Sequence, residues 1–100
     1  MTWTVYILYS GKLDSFYKGH TNNIIDRLRR HNNRQEDFTS KGVPWRLIWT
    51  TNKNSKAEAY QLELKIKNLS RARTINFISK FSDGVEGADE LLLLQQLSAR

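Results

Sequence analysis

Two strand-like runs joined by a short turn restrict the fold of this chain more than any other feature. Residues 2–10 place bulky side chains on both faces of an extended run, which is typical of a central strand covered on two sides. A second run, 15–19, follows a glycine-containing turn at 10–12, and the spacing predicts antiparallel pairing of the two runs. Each run contains a tyrosine, Tyr6 in the first and Tyr17 in the second. The sequence therefore predicts the start of an antiparallel sheet with phenols on neighbouring strands.

The rest of the body alternates between helical and strand patterns. Three helices and a strand are predicted: a helix capped by Thr21 or Asn22 that runs to Asn32, a strand at 45–51, and helices beginning after Ser55 and Ser70. Their apolar stripes are expected in the core: Ile24, Ile25 and Leu28, then Ala59, Leu62, Ile66 and Leu69, then Ile75, Ile78 and Phe81. This ββαβαα order predicts an α+β fold, a small three-stranded antiparallel sheet flanked by helices.

Charge is distributed unevenly between two segments. Residues 1–81 hold fifteen lysines and arginines against six acids, a net charge of +9, whereas 82–100 carry −3. We expect 1–81 to form one domain and 82–100 to form an acidic linker followed by a short leucine-rich C-terminal helix. A positive field of this density favours phosphate-rich partners. A solvated basic surface without a partner is the alternative explanation.

Several classes of protein are disfavoured by what the sequence lacks. The chain has no cysteine, which excludes a disulfide scaffold and a thiolate zinc site. No apolar run is long enough to span a bilayer, and the N-terminal residues alternate in a strand rhythm instead of forming the apolar block of a signal peptide. The expectation is a cytoplasmic protein with no membrane partner.

Five ordered motifs carry a resemblance to a known family. They are V-Y-I-L at 5–8, F-Y-K-G-H-T-N-N at 16–23, R-L-R-R-H-N at 27–32, V-P-W at 43–45, and Glu58-Ala59 with Glu63, Ile66 and Lys67. Together they span about residues 2–80 and resemble the GIY-YIG nuclease superfamily, in particular its small stand-alone bacterial, excision-nuclease-like members. Thr4 and Lys18 depart from the two triplets that name the family, and neither departure removes a chemical group. The resemblance implies a metal-dependent endonuclease that hydrolyses DNA phosphodiester bonds, with single-stranded, branched or damaged DNA in repair or recombination as the expected substrates.

The resemblance also implies a catalytic set of Tyr6, Tyr17, Arg27, His31 and Glu63. Glu63 corresponds to the metal-binding glutamate and would hold Mg²⁺ or Mn²⁺ with waters completing the shell; from its spacing alone, a structural ion pair is the alternative. Tyr6 is implied to activate water, as a phenolate or general base, and Tyr17 to position water or phosphate. Arg27 offers a planar fork to the scissile phosphate, and His31 is expected to donate to phosphate or assist proton transfer. Without the resemblance, strand aromatics and solvated helix charges would explain the same residues.

A wider set of basic residues is predicted to contact nucleic acid, namely Lys18, Arg27, Arg30, Lys67 and Arg71. Exposed charges without a ligand are the alternative for each. The expected partner is DNA, with RNA as the alternative, and the expected state is a monomer or weak homodimer. His20 is expected to belong to a loop.

Two other interpretations of the chain remain. One is a non-catalytic nucleic-acid-binding module of the same fold. The other is an interaction protein whose acidic, leucine-rich tail binds a partner or a second copy. The presence of all five catalytic candidates together favours the enzyme.

Overall fold

A central sheet of three antiparallel strands organises the molecule, for which a computed structural model describes residues 2–36 and 38–99. The strands are β1 (Trp3–Ser10), β2 (Ser15–Thr21) and β3 (Trp45–Lys53), and their order across the sheet is β2-β1-β3. β1 pairs with both neighbours, and its residues from Val5 to Ser10 are buried. The predicted central strand is therefore confirmed, and β2 is an edge strand.

Four helices surround the sheet: α1 (Ile24–Asn32), α2 (Lys56–Lys67), α3 (Arg71–Lys80) and α4 (Ala88–Ser98). The predicted caps Ser55 and Ser70 are confirmed, since each side chain accepts a hydrogen bond from a backbone amide in the first turn of its helix. The cap predicted for α1 is wrong. Thr21 belongs to β2, and the side chain of Asn23 caps α1 instead. None of the described helices is both long and apolar enough to cross a membrane.

The sheet separates two apolar clusters of different size. The larger cluster lies between one face of the sheet and helices α2, α3 and α4, and contains Val5, Ile7, Tyr9, Ile48, Trp49, Ala59, Ile66, Ile75, Ile78, Leu94 and Leu97. The smaller cluster lies on the opposite face and contains Tyr6, Leu8 and Trp45, with Tyr17 and α1 packed against it. Alternation along β1 produces this division, because successive side chains point to opposite faces. The α+β architecture expected from the sequence is confirmed.

Two residues expected in the core are exposed. Ile25 is 82% exposed, because α1 buries the row formed by Ile24, Leu28 and His31 and Ile25 lies beside that row. Phe81 is 48% exposed, because it follows the last turn of α3, where its ring packs against Phe77 and Lys80.

The C-terminal segment packs against the body. Val85 forms a bridge with Trp49, and the amide of Glu86 donates to the carbonyl of Ile48 at 3.0 Å. Leu94 and Leu97 of α4 are buried in the larger cluster. The expected leucine-rich helix is present, and the acidic stretch before it includes a short 3₁₀ turn at 82–84 that leads into these contacts.

Candidate active site

A buried chain of hydrogen bonds links three elements on the α1 face of the sheet. The hydroxyl of Tyr6, on β1, lies 3.0 Å from Nε2 of His31, on α1. The other ring nitrogen of His31, Nδ1, lies 2.8 Å from Oγ1 of Thr39, in the segment between α1 and β3. All three residues are buried. The histidine is therefore held at both nitrogens, and its ring orientation is fixed.

The direction of these bonds follows from the threonine. The hydroxyl of Thr39 donates to the carbonyl of Glu36 at 3.4 Å, so its oxygen is left to accept from Nδ1–H of His31. A neutral imidazole with its proton on Nδ1 has an acceptor at Nε2, to which the Tyr6 hydroxyl donates. Burial lowers the pKa of His31 despite the opposing charge of Glu36, and Arg27 and Arg30 add to the lowering, which favours the neutral ring. The geometry thus aims the phenolic proton of Tyr6 at a base.

Gly19 makes room for the Tyr6 phenol. The two residues face each other in the pairing of β1 with β2. A Cβ atom on Gly19 would lie 2.5 Å from the Tyr6 hydroxyl oxygen and 2.6 Å from the ring carbon that bears it. Because real Cβ contacts are longer, only glycine allows the phenol to occupy this position.

Tyr17 lies beside the same histidine and is less buried than Tyr6. Its ring centroid is 5.0 Å from the His31 ring in an edge-to-face arrangement and 6.4 Å from the Tyr6 ring. The ring also approaches Phe38 and Trp45. The two predicted tyrosines and the predicted histidine therefore form one aromatic cluster, with Tyr17 nearest to solvent.

Glu63 approaches from α2 and is held by a histidine of the edge strand. Its Oε1 lies 2.7 Å from Nδ1 of His20, and both side chains are mostly buried. The expectation that His20 belongs to a loop is wrong, since it lies in β2 next to Gly19. This contact gives Glu63 a structural partner, which forms an ion pair only when His20 is protonated, and it engages one carboxylate oxygen and leaves the other for another ligand.

Charges from two sides act on the phenols. Burial raises the pKa of Tyr6 above its usual range, and the neighbouring Tyr17 and Glu63 contribute to the rise. Arg27 opposes this rise through its positive charge. Burial also raises the pKa of Tyr17, and the charge of Glu63 adds to the effect. Arg27 and Glu63, from helices on different sides of the sheet, therefore lie close enough to the tyrosines to act on both.

The other predicted nucleic-acid contacts are mostly engaged within the protein. Lys18 donates to the carbonyl of Leu69 at 3.3 Å, and burial lowers its pKa. Arg30 pairs with Glu36 at 3.3 Å, and Arg71 pairs with Asp14 at 3.1 Å. Lys67 is exposed at the end of α2, four residues after Glu63.

Two residues of the site were not predicted from the sequence. Thr39 carries no motif that distinguishes it from any loop threonine, and only tertiary packing brings it to His31. Nearby, Asn32 connects the end of α1 to the start of β3 through hydrogen bonds of 2.7 and 3.1 Å with the backbone of Trp45. His20 follows Gly19 directly, and the alternation of β2 could have placed it on the α2 face.

The donor set fits one kind of metal ion. Among the described residues no three histidines, aspartates or glutamates form a group that could hold a metal. A single carboxylate with one free oxygen does not make a cage, but it suits Mg²⁺ or Mn²⁺, which keep several waters and take further ligands from substrate phosphates. Glu63 is the residue of this site that could hold such an ion.

Comparison with known proteins places this geometry in a family. The sequence profile of the GIY-YIG catalytic domain matches residues 2–76. A UPF0213 protein of Bacillus licheniformis is 36% identical over 74 residues, which cover 72% of this chain and 76% of the relative. One from Clostridium perfringens is 37% identical over 79 residues, covering 78% and 84%. The solution NMR structure of a UPF0213 protein from Bacillus halodurans aligns with a TM-score of 0.52 at 34% identity, covering 79% of this chain and 84% of that one.

Proposed function

The chain belongs to the GIY-YIG family, and from this membership we propose that it is a divalent-metal-dependent endonuclease that hydrolyses DNA phosphodiester bonds. The observation that carries the proposal is the buried contact between the Tyr6 hydroxyl and His31 Nε2, with Arg27 and Glu63 acting on the same phenol from either side. A phenol, a neutral imidazole, a guanidinium and a carboxylate supply the groups that phosphodiester hydrolysis requires.

Arg27 has the first role when substrate binds. Tyr6 has no exposed area, and the positive charge of the Arg27 guanidinium acts on its phenol. Because a phosphate is a stronger acceptor than a phenol, we expect the scissile phosphate to draw the guanidinium onto itself in bidentate contact. The move would uncover the Tyr6 oxygen for the attacking water, which the more exposed Tyr17 would help to position.

Tyr6 and His31 would then move the proton. As a water oxygen forms its bond to phosphorus, its proton passes to the Tyr6 oxygen while the Tyr6 proton passes to His31 Nε2. The phosphorus–oxygen bond to the leaving group breaks, and the leaving oxygen takes a proton from solvent. Thr39 keeps the imidazole oriented throughout by accepting from Nδ1–H. A divalent ion held by Glu63 would stabilise the negative charge that develops on the phosphate oxygens.

The proposal is tested by a cleavage assay on three labelled DNA substrates, single-stranded, duplex and branched, with Mg²⁺, Mn²⁺ or EDTA. We expect at least one substrate to be cut with a divalent ion and none in EDTA. The Glu63→Gln and Arg27→Ala proteins, prepared in the same way, control for a contaminating nuclease, which would cut equally in both preparations and in that of the natural protein. Folded protein that cuts none of the three substrates would contradict the proposal.

A non-catalytic nucleic-acid-binding module is the second candidate, and the net charge of +6 supports it. Fluorescence anisotropy at several salt concentrations measures binding independently of cleavage. A steep fall of log affinity with log salt is expected for either candidate, because phosphate contacts displace counterions. Binding without cleavage would leave this second function alone.

A further inference from the structure

An open groove of about 660 Å³ lies on the α2 side of the sheet, and one of its lining residues, His20, contacts Glu63. It is lined by His20, Lys56, Ala57 and Tyr60. Lys56, Tyr60, Glu63 and Lys67 follow one another at intervals of four, three and four residues, so they share one face of α2. The groove therefore continues the row on which the carboxylate lies, toward the N-terminus of the helix.

Aromatic rings and an ammonium group meet in this groove. The His20 ring lies 5.9 Å from the Trp3 ring and 5.8 Å from the Tyr60 ring, the latter edge to face. The Lys56 ammonium lies 5.4 Å from the centre of the Trp3 ring. Tyr60 is 50% exposed although it is a large aromatic residue, so part of its side chain is available to a ligand.

We propose that this groove binds one unpaired nucleobase of the substrate strand, beside the nucleotide whose phosphate is cut. The inference rests on the proposed function for its substrate class. A base has a π-face that stacks on tyrosine or histidine whatever its identity, and the Lys56 ammonium suits the adjoining phosphate. Tyr60 and Glu63 are about 4.5 Å apart along the helix axis, which is of the order of one nucleotide step.

The consequence is a preference for strands that are not paired. In a duplex each base is already stacked and hydrogen-bonded, and moving it into the groove costs a few kcal/mol. In a single strand, a flap or a gap this cost is largely absent. Tyr60, Trp3 and His20 would thus select the structure of the substrate and not its sequence.

The test compares affinity for a short fluorescein-labelled oligothymidylate with affinity for an abasic strand of equal length, in EDTA so that no cleavage occurs. We expect the natural protein to bind the oligothymidylate about fivefold or more tightly than the abasic strand. Tyr60→Ala should abolish that difference, and Tyr60→Phe should retain it because the ring is kept. Leu64→Ala is the matched control, since Leu64 is 48% exposed on the same helix and does not line the groove.

Two outcomes would overturn the inference. One is natural protein that binds both strands equally. The other is Tyr60→Ala protein that loses the same factor of affinity for both strands, which is the mark of a structural or purely electrostatic role. The two proposals can fail separately. Base-dependent binding without Mg²⁺-dependent cleavage would contradict only the proposed nuclease activity. Cleavage with base-independent binding would contradict only the proposed role of the groove.

Discussion

The Tyr6 hydroxyl lies 3.0 Å from His31 Nε2, although 25 residues separate the two in sequence. β1 and α1 meet at this contact, and Gly19 of β2 faces the phenol from the other side. The pair is buried, Thr39 accepts a hydrogen bond from Nδ1 of His31, and the positive charge of Arg27 acts on the phenol. The same arrangement stabilises the smaller cluster and sets up the proton acceptor of the proposed reaction.

Replacement of Gly19 tests how tightly the phenol is enclosed. Gly19→Ala puts a methyl group against the Tyr6 hydroxyl, so we expect a loss of about 1–3 kcal/mol in the free energy of unfolding and a marked loss of cleavage. Gly11→Ala is the control, because a Cβ there meets nothing within 4 Å. Urea denaturation and the cleavage assay measure both effects. Equal stability of the two variants would mean that the phenol moves aside without cost.

Removal of the Thr39 hydroxyl tests the orientation of the imidazole. Thr39→Val keeps the shape but leaves Nδ1–H of His31 without an acceptor, which should cost about 1–3 kcal/mol. Cleavage should fall about tenfold or more, since positioned proton transfer contributes about 10²–10⁴-fold. DNA affinity should not change, and Thr39→Ser, which restores the hydroxyl, should recover cleavage. A Thr39→Val protein that is less stable but cuts at the natural rate would assign Thr39 to folding only.

The pKa of His31 predicts how stability depends on pH. Burial lowers this pKa below the usual value of 6.5. Just below pH 6.5, His31 is therefore protonated in the unfolded chain but still neutral in the folded chain. The contribution of the neutral His31 to the free energy of unfolding is therefore complete above pH 6.5, and it is lost as the pH falls toward the pKa of His31 in the folded protein. Urea denaturation between about pH 7 and pH 5 should show a smaller decline for His31→Gln than for the natural protein. Identical slopes would show that His31 titrates normally.

The sequence predicted the parts of this protein whose signals are local. Ser55 and Ser70 carry capping chemistry within their own turns, and the alternation along β1 encodes a strand covered on both faces. The residues of the candidate site were named from the sequence only where family motifs point to them, and their roles stay predictions. The pairings of His20 with Glu63 and of Thr39 with His31 arise from tertiary packing across 43 and 8 residues, which no local pattern encodes. The apolar pattern of α1 predicted that Ile25 would be buried, but this short helix buries only the row of Ile24, Leu28 and His31.

The role of α4 is testable with two of its leucines, one buried and one exposed. Leu94→Ala removes a side chain from the larger cluster and should cost about 2–5 kcal/mol, whereas Leu92→Ala, on the exposed side, should change stability by about 0.5 kcal/mol or less. The residues proposed for chemistry all lie before α3, so cleavage per folded molecule should be the same for both variants. Urea denaturation curves measure the stability of both variants, and the cleavage rate divided by the concentration of folded protein measures their activity. A folded Leu94→Ala protein without cleavage would place the C-terminal segment in the active site.

Glu63 and Arg27 should fail in different ways when they are replaced. Glu63→Gln keeps the shape and the capacity to hydrogen bond with His20 but removes the charge that would hold the metal ion. Cleavage should fall a hundredfold or more, because transition-state charge would lose several kcal/mol of stabilisation. DNA binding should persist or tighten, since one negative charge near the phosphate is gone.

Arg27→Ala should also stop cleavage, but it should weaken DNA binding as well, because it deletes a direct phosphate contact. Arg29→Ala on the same helix is the matched control, since Arg29 is exposed and pairs with Asp26. Melting temperature, anisotropy in EDTA and Mg²⁺-dependent cleavage, measured on all the variants, separate the roles. If Glu63 serves only as the structural partner of His20, Glu63→Gln will lower the melting temperature, but each folded molecule will cut DNA at the natural rate. In that case another residue must hold the metal ion.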